Sequence, residues 1–132
     1  FISSSVTRRS KSIISKSRKN IQTKEAVADI CIEYDEFDFS KKLLKSIIRE
    51  VPSRYDTVYK TGLICQDSGE SDEALEHFLV VDKHQSSRLD VKLQIAKIYY
   101  GRNQIYQADD YLNQVLQRDP KNQEALSIRR SI

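Results

Sequence analysis

Residues 96–120, AKIYYGRNQIYQADDYLNQVLQRDP, decide the reading. Ala96, Tyr99 and Tyr100 lie at helical spacing, and Gly101-Arg102-Asn103-Gln104 interrupts it. Ala108, Leu112 and Val115 then resume it at intervals of about one turn. Pro120 closes the stretch, because proline lacks the N–H and clashes with the preceding turn. The pattern is two short helices folded back on each other.

The same arrangement returns 34 residues earlier, and again 34 before that. Cys31, Cys65 and Tyr99 share one offset. Ala28, Gly62 and Ala96 share another, as do Ser40, Ala74 and Ala108. Leu44, Phe78 and Leu112 follow the rule, and so do Ile47, Val81 and Val115. Pro52 and Pro120 stand two periods apart, with Ser86 between them. The small residues on each first helix let a second helix approach, those on the second helix match them, and the bulky residue one turn later fills the space. Helices are expected near 21–35, 38–51, 54–68, 71–84, 88–101 and 104–118.

A 34-residue period with small, aromatic, small, bulky, apolar and proline positions resembles the tetratricopeptide repeat (TPR) family. The likeness covers residues 21–122 as three units, 21–54, 55–88 and 89–122. Lys24, Val58 and Lys92 stand where the family usually has Trp, and Cys31 and Cys65 where it has an aromatic. The resemblance implies an all-α, right-handed solenoid of helix-turn-helix repeats. Asn122–Ile132 begins like a fourth unit and is expected to be a capping helix, and residues 1–20 a basic arm or helix.

Composition limits the function. The chain has 132 residues, 39% hydrophobic and 31% charged, with three Gly and two Pro. Phosphate-binding glycine loops and Gly-x-Ser-x-Gly elbows are absent from the sequence, so no enzyme and no cofactor is expected. Cys31 and Cys65 read as small core residues. His77 and His84 lack zinc-type spacing and read as surface residues, so no metal is expected.

Charge is divided unevenly. Residues 1–24 hold seven Lys/Arg and no acid, whereas residues 25–132 carry 15 basic and 19 acidic residues. Arg8, Arg9, Lys11, Lys16, Arg18 and Lys19, with Lys41, Lys42, Lys45 and Arg49 on the second helix of unit one, form a candidate basic patch. Such a patch suits an anionic membrane surface or an acidic protein. Nucleic acid is disfavoured, since residues 2–33 offer no aromatic for base stacking. The chain starts at Phe1 and reads as part of a longer protein, cytoplasmic, with a membrane tether upstream of residue 1 as the alternative.

By the resemblance, a stripe on the first helices lines a concave groove that binds a peptide or amphipathic helix. Its members are Glu25, Asp29, Ile32 and Glu33, then Tyr59, Leu63 and Gln66, then Leu93, Lys97 and Tyr100. It is expected to run from an acidic edge to an apolar, aromatic middle. Glu25 and Asp29 stand where carboxylate-clamping TPR domains carry Lys and Asn, which excludes an acidic tail as ligand. The expected function is a protein-interaction scaffold or adaptor. A membrane-surface assembly factor and a self-assembling scaffold, hence a homo-oligomer, are the alternatives.

Overall fold

A computed structural model describes residues 21–132; the basic positions Arg8, Arg9, Lys11, Lys16, Arg18 and Lys19 lie outside the described residues. Seven helices follow one another there: α1 Ile21–Glu33, α2 Phe37–Glu50, α3 Tyr55–Asp67, α4 Ser71–His84, α5 Leu89–Gly101, α6 Ile105–Arg118 and α7 Gln123–Ser131. The first six begin and end within two residues of the sequence expectation.

Backbone hydrogen bonds repeat with the same period. Two residues beyond α1, α3 and α5 stands a residue with positive φ: Asp35 at 57°, Gly69 at 82° and Asn103 at 61°. The next N–H reaches back to the carbonyl five residues earlier. Glu36 N donates to Cys31 O at 2.8 Å, Glu70 N to Cys65 O at 2.8 Å, and Gln104 N to Tyr99 O at 2.9 Å. This is the Schellman closure, and Asp, Gly and Asn are the residues that tolerate left-handed backbone.

The longer helices end alike. Val51 N donates to Ile47 O, Gln85 N to Val81 O and Asp119 N to Val115 O, at 2.7–2.9 Å. Val51 and Asp119 precede prolines and are pushed out of helical geometry, with φ near −135°. Gln85 precedes Ser86 and still makes the same bond, so proline reinforces this ending without being required for it.

The described chain divides into two compact units, residues 21–70 and 71–132. In the first, α1 packs on α2 and α2 on α3. Its core joins Val27, Ala28 and Cys31 with Leu43, Leu44, Ile47 and Ile64. Ala28 and Ser40 are both fully buried, as close helix approach requires. Ser40 returns its hydroxyl to Phe37 O at 3.0 Å, so the buried oxygen is satisfied.

In the second unit, α5 packs against α4 and α6, and α7 closes on α6 and α5. Leu93, Ala96, Leu112, Val115 and Ala125 share a core edged by Tyr111, Leu116 and Ile128. Asn122 caps α7 by accepting the N–H of Ala125 at 3.0 Å. The fully buried Ile95 and Ala96 of α5 correspond, one period on, to Arg129 and Arg130 of α7. Arg129 turns onto α6 and donates to Asp109 at 3.0 Å, while Arg130 is exposed.

The two lysines in the Trp position are buried, each 5% exposed. Lys24 donates to Ser46 at 3.0 Å and Glu50 at 2.8 Å. Lys92 donates to Asp82 at 2.7 Å and Gln114 at 2.8 Å, and its ammonium stands 5.9 Å from the Tyr111 ring centre. Ser46 and Gln114 occupy equivalent places two periods apart. An ammonium here replaces aromatic packing with a satisfied ionic contact, because an unpaired one would be too costly to bury.

Candidate partner-binding surface

In the first unit the expected acidic stripe turns inward to α3. Glu25 is half-buried; Thr57 donates to it at 2.7 Å and the Arg54 guanidinium completes the site. Burial alone would raise the Glu25 carboxyl, but hydrogen bonds from Arg54 and Thr57, with the charges of Arg54 and Lys60, hold it below the usual carboxylate range. Asp29 is exposed and accepts from Lys60 at 2.9 Å. Two of the three acids are therefore matched by cations of the same unit, which corrects the picture of an acidic edge. Glu33 stays exposed, and Ile32 packs against the core.

Tyr59, Leu63 and Gln66 stand half-buried along α3 at helical spacing. They present an apolar and amide strip that leaves part of each side chain in contact with solvent.

In the second unit the expected residues separate. Leu93 is 7% exposed and belongs to the core with Ala96 and Leu112, so it offers packing rather than an anchor. Lys97 faces α7, 3.4 Å from Glu124. Tyr100 lies one turn further along α5, and its hydroxyl donates to Ser131 O at 3.4 Å. Between α5 and α7 lies an open depression of about 310 Å³ lined by Lys97, Gln123, Glu124, Ser127 and Ile128.

Lys41 leaves the basic patch. It is 9% exposed and paired with Glu70, because its position on α2 points inward beside Ser40 and Leu44. Lys42 and Arg49 are exposed, and Lys45 is half-buried. His77 is half-buried as well, 3.9 Å from Glu73, and His84 places Nδ1 2.9 Å from Val80 O.

Sequence reading missed Arg54, Thr57 and Lys60 as partners of the stripe, and Glu124 and Ser131 as those of Lys97 and Tyr100. A signal was present. Asp29 and Lys60 are 31 residues apart, and so are Tyr100 and Ser131. That separation is one period less about one helical turn, the offset at which successive first helices touch.

A MamA crystal structure superposes on this chain with a TM-score of 0.79 over 87% of its residues, at 19% identity. Pseudomonas aeruginosa PilF superposes at 0.74 over 92%, at 15% identity. Both are TPR proteins. The fold is the TPR fold. The chain spans 67% of that MamA chain and 55% of the PilF chain. No family model matches the sequence, and no curated protein does. The TPR pattern therefore lives here in placement and backbone closure, more than in residue identity.

Proposed function

We propose that this TPR domain is a non-catalytic protein-binding module whose ligand is a peptide or amphipathic helix of another protein. The carrying observation is the depression between α5 and α7, with Ile128 apolar on its lining and Lys97 and Glu124 charged beside it. The Lys97–Glu124 pair is long and largely solvated, so it is weak. Either group can exchange its partner for a ligand carboxylate or ammonium at little cost. Tyr100 adds an amphipathic ring beside Lys97, the kind of side chain enriched at binding hot spots. The groove is preformed on helices, so little ordering entropy is lost on binding.

In the first unit, Tyr59, Leu63 and Gln66 are a separate contact strip. The matched Glu25 and Asp29 contribute architecture there rather than attraction. A ligand for this strip is chosen by apolar fit, with Glu33 as the remaining charge. The shared fold of MamA and PilF supports a scaffold role. The membrane-surface alternative loses Lys41, and among the described residues no helix is long and apolar enough to cross a bilayer.

The test is photo-crosslinking in cells from probes placed at Tyr100, at Leu63 and at exposed Glu76 of α4. A discrete partner captured from Tyr100 or Leu63 but not from Glu76 supports the reading. Equal capture from all three sites, or none from Tyr100 and Leu63, overturns it.

A further inference from the structure

The strip of Tyr59, Leu63 and Gln66 on α3 runs into Asp67, four residues beyond Leu63 and so on the same side of the helix. Asp67 is the last residue of α3, and Glu33, one period earlier, is the last residue of α1. The two helices run in the same direction: Glu25 meets Thr57 and, one turn on, Asp29 meets Lys60. Both carboxylates therefore stand at one end of the strip, and both residues are exposed.

Helix stability does not account for them. The negative end of a helix dipole favours a cation in the last turn and opposes an anion. The second helices follow that rule: α2, α4 and α6 carry Arg49, Lys83 and Arg118 in their last turns. α1 and α3 have no basic residue in theirs and close on an acid instead. Among the described residues Glu33 and Asp67 form no ion pair, whereas Glu25 and Asp29 are matched by Arg54 and Lys60. In the second unit the same position is Gly101. Negative charge is thus set against local preference in the first unit alone, beside side chains that are half open to solvent.

We propose that the first unit takes a basic amphipathic segment of another protein, with apolar side chains on Tyr59 and Leu63 and a Lys or Arg at the Glu33–Asp67 end. This rests on the reading of the α3 strip as a contact surface and adds the charge of its ligand. An incoming cation meets two carboxylates and the negative ends of two helices together, and it relieves the repulsion that those acids suffer in the free chain. An acidic segment is repelled at the same place.

The test uses three synthetic helical peptides with one leucine face, alike except that the flanking positions carry Lys, Gln or Glu. Each is titrated into the isotope-labelled full chain, and the amide shifts of residues 55–67 are followed by NMR. The Lys peptide is expected to move these amides and to bind roughly tenfold or more tighter than the Gln peptide, with the Glu peptide weakest. Glu33→Gln combined with Asp67→Asn should remove that preference while leaving the affinity of the Gln peptide unchanged. Its melting temperature should stay level or rise, which a structural role for the two acids would not give. Leu63→Ala should weaken the Lys and Gln peptides alike. Equal affinity for the Lys and Gln peptides, or a Lys preference that survives the double variant, overturns the proposal and leaves the strip as a contact surface. Failure of all three peptides to move residues 55–67 overturns the strip along with it.

Discussion

Glu25 accepts a hydrogen bond from Thr57 at 2.7 Å, so a carboxylate of α1 is held by α3 across 32 residues of sequence. Arg54 binds the same carboxylate, and Lys60 holds Asp29 one turn away. Acids that suggest a recognition surface in one dimension are struts between helices in three.

This sets a pH dependence. The Glu25 pKa is depressed in the folded chain, so its stabilisation is full above the unfolded value of about 4.3 and is lost as pH falls through the folded value. Glu25→Gln is expected to cost about 1 kcal/mol at pH 7. The cost should shrink toward zero as pH falls through the depressed folded value. Urea unfolding of both proteins at a series of pH values measures it; a pH-independent difference would remove the ionic part of the argument.

The buried Lys92 predicts an asymmetry between its two halves. Asp82→Ala leaves the ammonium buried with Gln114 alone and should destabilise by about 3 kcal/mol. Lys92→Met replaces the charge with an apolar chain of similar length beside Tyr111 and should fall within about 1 kcal/mol of the parent. Thermal melts that rank the two variants the other way would show that the ion pair itself, rather than satisfaction of the buried charge, sets stability here.

Backbone conformation makes a prediction that contacts do not. Nothing lies within 4 Å of the place a Cβ would take at Gly69, yet φ there is 82°. Gly69→Ala is expected to cost about 1 kcal/mol despite the open space. Asn103→Gly should be near neutral, and Asn103→Val should cost more than Gly69→Ala because a β-branched residue resists positive φ. Denaturant midpoints of the three variants give the order directly.

The helices, their pairing and the buried small positions were legible because period and side-chain size follow from packing, which residue types record directly. The turns were legible only as turns. Asp35, Gly69 and Asn103 share a conformation but no chemistry beyond tolerance of positive φ, so comparing residue types hides their equivalence. Lys41 was misread for a related reason: composition treats lysine as solvent-facing, while burial depends on a partner carried elsewhere in the fold. The cations that neutralise Glu25 and Asp29 were not legible as their partners, since they come from Arg54 just before α3 and Lys60 on it.

Leu93 and Tyr100 separate folding from binding in the second unit. Leu93→Ala removes a buried side chain and should cost about 2–4 kcal/mol of stability. Tyr100→Ala loses one long hydrogen bond and should change stability by less than about 1 kcal/mol. If the α5–α7 depression binds the partner, Tyr100→Ala should weaken that complex by roughly tenfold or more. Calorimetric titration with the crosslinked partner segment decides; unchanged affinity would take Tyr100 off the interface.

Arg129 and Arg130 give α7 one sticky side and one wet side. A helix laid behind α7 as α6 lies behind α5 would meet two guanidinium groups at the register of Ala96, which packs against Leu112 and Val115 of α6, and of the fully buried Ile95. Grafting additional repeats onto this junction would therefore require both arginines to be exchanged for a bulky apolar and a small residue first. Left as they are, they make α7 a poor splice point and a good place to attach a label or a tag.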